Sequence, residues 1–302
     1  MSLYNRYRPS TFQEMIGNDI MIRSLQNDLA KPDPPRAILI HGPFGSGKTS
    51  LGRIIAHYVG CSDSDYFELH SSVFRGIDTV RDVQQKCNYK PVSGKYKVFL
   101  WDEVHQIGSV AMPAMLKMLE DTPKHIIHIL ATTDPQKLLP TIRSRCAQYQ
   151  VSTLSDEDML KLLKSIVKKE GQKLEQEIYD QIIQDSQGHP RDALQILDHV
   201  LAVDVSDRLH VARRSAENTT QIIALCRALL SNASWSKVSV LLKGLKEEEP
   251  ESIRRAVFNY MGSVLLNGEN DRAACIMDEF VKPTYDNGFH DVTWAAYKVV
   301  KS

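Results

Sequence analysis

Residues 42–49 read Gly-Pro-Phe-Gly-Ser-Gly-Lys-Thr and follow directly on the apolar run Ala37-Ile38-Leu39-Ile40. Few arrangements constrain a fold so tightly. A short buried strand must end, turn through a glycine-rich loop and open a helix at Lys48, with Leu51, Ile54 and Ile55 on that helix's apolar face. Gly42, Gly45 and Gly47 give the backbone φ values closed to other residues, so successive N–H groups can turn inward around an anion. Pro43, Phe44 and Ser46 fill the loop, and Ser50 follows it. Lys48 offers a point charge to the terminal phosphates of a nucleoside triphosphate, Thr49 a hydroxyl to Mg²⁺, and the helix its positive end. The plain alternative, a glycine-rich turn before an ordinary helix, is disfavoured by the order strand, glycines, Lys-Thr, helix.

At 302 residues the chain has room for two or three domains. Lys plus Arg and Asp plus Glu balance at 37 each, so no global field draws it to nucleic acid or an anionic membrane, and any DNA contact must be a local patch. The first residues, Met-Ser-Leu-Tyr-Asn-Arg, form no apolar leader, and no apolar run reaches spanning length; a cytoplasmic protein with no membrane partner is expected. Cys61, Cys87, Cys146, Cys226 and Cys275 include no C-x-x-C pair, which favours reduced thiols and predicts no zinc.

The first half alternates β-rich runs with amphipathic stretches, the pattern of an α/β domain whose parallel sheet carries helices on both faces. Strands are predicted at Ala37 to His41, Tyr66 to His70, Lys97 to Trp101 and Ile126 to Thr132, and helices at Asp19 to Ala30, Lys48 to Val59, Ile77 to Cys87 and Ser109 to Glu120. Beyond Val151 the β signal fades. Ser155-Asp156-Glu157-Asp158 opens a helix with a capping-box look, and further helices follow through Glu175 to Ser186 and Arg191 to Leu201. A linker is expected near Val203 to Arg208, and from Ala216 onward the chain again reads as helical. The expected organisation is a nucleotide-binding core over 1–151, a small helical lid over 152–205 and an all-α domain over 206–302. In that last domain Leu241, Leu242, Ile253, Val257, Tyr260, Val264 and Leu265 read as core and packing surface.

The strand Val98-Phe99-Leu100-Trp101 delivers Asp102 and Glu103 to its carboxyl end, where open α/β sheets bind ligands. Asp102 suits Mg²⁺, and Glu103 suits a base that polarises water for attack on phosphorus. Thr133, closing the next apolar strand, could sense a γ-phosphate or merely close that strand. Arg145, in Arg143-Ser144-Arg145-Cys146, would complete this chain's site, complete a neighbour's, or lie on the surface. Arg191, in the first turn of a helix, would meet phosphate or pair with a carboxylate.

These blocks together resemble the AAA+ ATPases, and within them the sliding-clamp loader subunits. Tyr7-Arg8-Pro9-Ser10-Thr11-Phe12 with Ile16-Gly17-Asn18 is similar to the N-terminal box of those subunits. Asp102-Glu103-Val104-His105, Ala131-Thr132-Thr133-Asp134-Pro135 and Ser144-Arg145-Cys146 resemble the bacterial DNA polymerase III gamma/tau subunit, whereas Glu68-Leu69-His70-Ser71-Ser72 and Arg75-Gly76-Ile77-Asp78-Thr79-Val80-Arg81 look like the small subunits of replication factor C. The similarity covers about residues 4–201. It implies an adenine pocket lined by Tyr7, Arg8, Ile16 and Gly17, Thr133 as first sensor, Arg191 as second sensor on the lid, and Arg145 as a finger reaching the ATP of the adjacent subunit. It also implies that Arg75 and Arg81, with Ser71 and Ser72 as weaker candidates, track duplex phosphates; the competing reading pairs Arg81 with Asp78 or Asp82. The family's four-cysteine zinc module has no counterpart between the glycine loop and Asp102, and the extension of tau that binds polymerase and helicase is not expected. The mixed signature suits a bacteriophage replication protein acting in the host cytoplasm.

The function so implied is that of an ATP-hydrolysing clamp-loader subunit. It would use ATP and Mg²⁺ in a ring of about five subunits that opens a sliding clamp and closes it on primer-template DNA. A translocating motor such as a Holliday-junction branch-migration helicase, and a scaffold subunit that holds ATP without hydrolysing it, are the alternatives. Retention of Lys48, Asp102, Glu103 and Arg145 speaks against the scaffold.

Overall fold

The computed structural model describes residues 2–71, 76–205, 207–246, 248–266, 268–281 and 288–301, with backbone alone at 210 and 213–220. The chain divides into two compact units, Met1–Val203 and Asp204–Ser302.

In the first unit, strands β1 (Ala37–His41), β2 (Tyr66–His70), β3 (Lys97–Asp102), β4 (Ile126–Thr132) and β5 (Ala147–Gln150) form a wholly parallel sheet in the order β2-β3-β4-β1-β5. Helices α1 (Leu3–Arg6), α2 (Asp19–Leu29), α3 (Lys48–Tyr58), α4 (Ile77–Cys87), α5 (Met112–Glu120) and α6 (Pro140–Arg145) accompany it. Three more helices, α7 (Asp156–Lys169), α8 (Gln176–Ser186) and α9 (Pro190–Leu201), follow the last strand.

The strands read as near-continuous apolar runs because both faces are covered, and their alternate residues feed two cores. Ile38, Ile40, Val98, Leu100, Ile127 and Ile129 pack with Leu25 of α2 and Leu51, Ile54 and Ile55 of α3. Leu39, Phe99, Trp101 and Leu130 pack on the other face with Val80 and Val83 of α4, Met115 and Met118 of α5, and Ile142 of α6. The four predicted strands are present. The sequence reading missed β5, α1 and α6, and it started α5 three residues early, at Ser109 instead of Met112; a proline stands in the observed first turn.

Two local devices fix how this unit is joined. The Val151 N–H donates to His41 O at 2.8 Å and the Leu154 N–H to Gly188 O at 2.9 Å, so the segment leading to the three later helices runs against the end of β1. Ser155 then caps α7, its hydroxyl accepting from the Asp158 N–H at 3.2 Å as its sequence predicts. Elsewhere, buried Asp65 accepts from the backbone N–H groups of Val92, Ser93 and Gly94 and from the Ser62 hydroxyl. Burial pushes that carboxyl up, but the four donors outweigh it and hold it at about 2.

The second unit contains, among its described residues, helices α10 (Arg208–Leu230), α11 (Trp235–Gly244), α12 (Pro250–Leu266), α13 (Asp271–Phe280) and α14 (Phe289–Lys301). Leu225, Leu229, Val238, Leu242, Ile253, Val257, Met261, Ile276, Phe280, Val292 and Val299 form its core, with Leu241, Tyr260, Val264 and Leu265 packed partly buried against them. Arg254, paired with Glu251 at 2.8 Å, donates to Phe280 O at 2.6 Å and so ties α12 to the end of α13.

Candidate active site

Because the sheet is wholly parallel, the carboxyl ends of β1, β3 and β4 open on one edge, and the polar residues that end them meet there. β1 runs into the glycine loop. A Cβ on Gly42 would fall 2.1 Å from Val151 O, and Gly47 has φ +97°, so the first glycine is required by close approach and the second by its backbone conformation. Lys48 is buried and donates to Gly42 O at 3.0 Å and Pro43 O at 2.8 Å, and the Ser46 hydroxyl donates to Pro43 O at 2.8 Å. Burial lowers the Lys48 pKa, while Glu103 and Asp102 act to hold the charge. An ammonium spending its donors on the loop's own carbonyls is ready to exchange them for a stronger acceptor.

The Thr49 hydroxyl lies 3.2 Å from both oxygens of Asp102, which brings the two residues expected at the metal together. Glu103 sits beside them with φ +51°, in the left-handed region, at a cost on the order of 1–3 kcal/mol. Its N–H donates to Asp102 Oδ1 at 3.1 Å, and its side chain accepts from the Thr133 hydroxyl at 3.4 Å. Two histidines that sequence reasoning passed over also touch these carboxylates. His105 Nδ1 lies 3.3 Å from Glu103 Oε2 and 2.9 Å from Thr132 Oγ1, and burial lowers its pKa. His70 lies 3.7 Å from both Asp102 and Glu68, and Glu68 is itself held by Arg53 through two 2.8 Å bonds. The signal for His105 was its place two residues after Glu103; His70 ends a neighbouring strand, which only the sheet order reveals.

A cleft beside the loop is lined by Tyr7, Arg8, Ile16, Ser46, Ser50 and, from the helices beyond β5, Leu194. Gly17 adjoins it, packed so closely that a Cβ would fall 2.7 Å from Leu154. Tyr7 donates to Glu170, which also pairs with Arg6 at 3.0 Å; that bond to Glu170 is the main cause of the raised Tyr7 pKa. Among the described residues Arg8 Nε is buried without a partner, an orphaned donor that an incoming acceptor would satisfy. That orphan, the open glycine loop and the Thr49–Asp102 pair fit a magnesium-bound nucleotide. Arg191 lies over the rings of Tyr4, at 5.0 Å, and Phe44, at 5.3 Å. A larger, more open groove runs between α2 and β5, past Asp19, Ile20 and Gln148, and holds none of the strand-end carboxylates.

Arg145 and Arg81 lie apart from this site. Arg145, at the end of α6, pairs with Glu120. Arg81 is exposed and pairs with Asp78 at 3.3 Å, the plainer of the two readings of its sequence. Ser71 was expected at a DNA surface, but its side chain is fully buried: its N–H donates to Asp102 O at 3.0 Å, which draws the residue in beside β3. Ser72 and Arg75 lie outside the described residues. Among the described residues no helix is long and apolar enough to cross a membrane.

The fold and the strand-end site define a AAA+ P-loop protein. The family described as "DNA polymerase III, delta subunit" matches residues 70–155. The DNA polymerase III subunit gamma/tau of Mycobacterium tuberculosis is 35% identical over 225 residues, covering 67% of this chain and 39% of that protein. The gamma subunit of Buchnera aphidicola is 30% identical over 246 residues, covering 74% and 66%, and the tau subunit of Escherichia coli 30% over 264 residues, covering 80% and 41%. The Thermotoga maritima RuvB Holliday junction branch migration motor superposes with a TM-score of 0.60 at 17% identity, over 72% of this chain and 79% of that one, a likeness of fold. The chain belongs to the AAA+ clamp-loader family that includes the DNA polymerase III gamma/tau subunits. It spans about two fifths of the length of the first curated relatives it matches.

Proposed function

We propose that this chain is an ATP-hydrolysing subunit of a DNA sliding-clamp loader. The observation that carries the reading is the convergence of Lys48, Thr49, Asp102, Glu103 and Thr133 at one sheet edge, with the Thr49 hydroxyl 3.2 Å from both Asp102 oxygens. Backbone N–H groups from Phe44 to Ser50 bind the phosphates, and Lys48 neutralises them. Thr49 and Asp102 hold Mg²⁺, which when bound supplies charge stabilisation to the transferring phosphoryl group. Glu103 takes the proton of the attacking water, and Thr133 and His105 orient its carboxylate. The base and ribose occupy the cleft lined by Tyr7, Arg8, Ile16 and Gly17.

The functional parts are a core over 1–151, a lid over 152–205 carrying Arg191 to the γ-phosphate, and a collar over 206–302 that holds a ring of about five subunits. Arg145 serves the neighbour's site, a role supported by its exposed position at the end of α6, paired with the surface carboxylate of Glu120. The ring opens a sliding clamp and closes it on primer-template DNA, where Arg75 and Arg81 meet the duplex backbone without reading bases. Sequence relatives among gamma/tau subunits favour this over branch migration, to which the fold likeness points. The test is ATPase measured with and without primed DNA and a sliding clamp. Stimulation by both together is expected; branch migration of a four-way junction in the absence of any clamp would select the motor instead.

A further inference from the structure

The phosphate loop carries an aromatic ring that its motif does not ask for. Of the positions between Gly42 and Gly47, any residue fits the pattern, yet Phe44 stands there 54% exposed. Its ring faces the Arg191 guanidinium, with 5.3 Å between the guanidinium carbon and the ring centroid, and Tyr4 approaches the same guanidinium at 5.0 Å. Tyr4 is in turn covered by Arg8 at 5.0 Å. One cationic group, from the first turn of α9, is thus gripped by rings from the phosphate loop and from α1. Contact with ring faces restrains a long side chain without consuming its in-plane N–H donors. Among the described residues those donors make no hydrogen bond or ion pair, the neighbouring Asp192 carboxylate acting on the guanidinium only through its charge, so they are available to an oxyanion.

We propose that Phe44, with Tyr4, is a positioning residue for Arg191 and thereby sets how strongly the site prefers a nucleoside triphosphate to a diphosphate. The inference rests on the reading of Arg191 as the group that meets the γ-phosphate. A restrained guanidinium gives up little conformational freedom on meeting that phosphate, and a diphosphate, which lacks it, gains nothing from the restraint.

The experiment measures Mg²⁺-dependent affinities of the full chain for ATPγS and for ADP. Phe44→Ala should weaken ATPγS by about 3- to 30-fold, the range of a cation–π contact, and leave ADP unchanged. Phe44→Trp should restore the preference, and Phe44→Ala added to Arg191→Ala should change nothing further. If Arg191→Ala selectively weakens ATPγS while Phe44→Ala weakens both nucleotides equally, or neither, the positioning role is wrong. If Arg191→Ala itself leaves the ratio of the two affinities unaltered, the γ-phosphate reading of Arg191 falls, and this inference with it.

Discussion

The two units of this chain bury different chemistry. The first places Lys48, Asp65, Lys97, His128 and Thr132 out of solvent, whereas the described buried charges of the second are Arg208 and Glu251, the latter paired with Arg254 and Arg255. Desolvated polar groups cost free energy unless something answers them. In the first unit Asp65, Lys97 and His128 are answered by the protein's own groups, whereas Lys48 and Thr132 lie where β1 and β4 end, beside Asp102 and Glu103, where a ligand can take up the donors. In the second unit the apolar interior is continuous, and its ion pair lies within α12, from which Arg254 reaches the Phe280 carbonyl at the end of α13. The difference teaches where substitutions change turnover and where they change only the fold.

The sharpest test lies at a surface residue. Arg145→Ala should lower the ATPase of the assembled complex by about 10³- to 10⁵-fold while isolated-chain nucleotide binding and melting temperature hold, because an exposed pair with Glu120 contributes little to stability. An unchanged rate in the assembly would remove the trans role. Glu103→Gln should reduce turnover by about 10²- to 10⁴-fold with ATP binding intact, read by single-turnover kinetics; normal DNA-stimulated hydrolysis would take Glu103 out of the base role. For the second unit, Ile253→Ala empties a fully buried position and should cost about 2–5 kcal/mol in denaturant unfolding. Its nucleotide affinity should match wild type, and a loss of affinity would break the division drawn between the units.

The smallest effect is a pH dependence. His128 is buried against Phe99 and accepts from Trp101 Nε1 at 3.4 Å, and burial pushes its pKa down to about 3. The folded state refuses a proton that the unfolded chain takes up near 6.5, so this stability is complete above that value and lost as pH falls below it. The loss is at most about 1.4 kcal/mol per pH unit. His128→Asn should flatten the fall in unfolding free energy between pH 6.5 and 5; an unaltered slope would assign it to other groups.

Much of the site was legible because it is local. Gly42 to Thr49 act through spacing along one turn, and Asp102-Glu103 through their place at the end of one strand. β5 escaped notice because Ala-Gln-Tyr-Gln at a sheet edge buries only Tyr149 and shows no apolar run. α1 and α6 are too short to display a helical period. Ser71 reads as a polar surface residue until Asp102 takes its N–H. The Tyr4–Arg191–Phe44 contact joins three segments remote in sequence, and no pattern within any of them announces it.

Gly42 has no room for a side chain because Val151 presses on it, and Val151 is in turn bonded to the end of β1. The arm that carries Arg191 therefore starts from a fulcrum riveted to the phosphate loop itself.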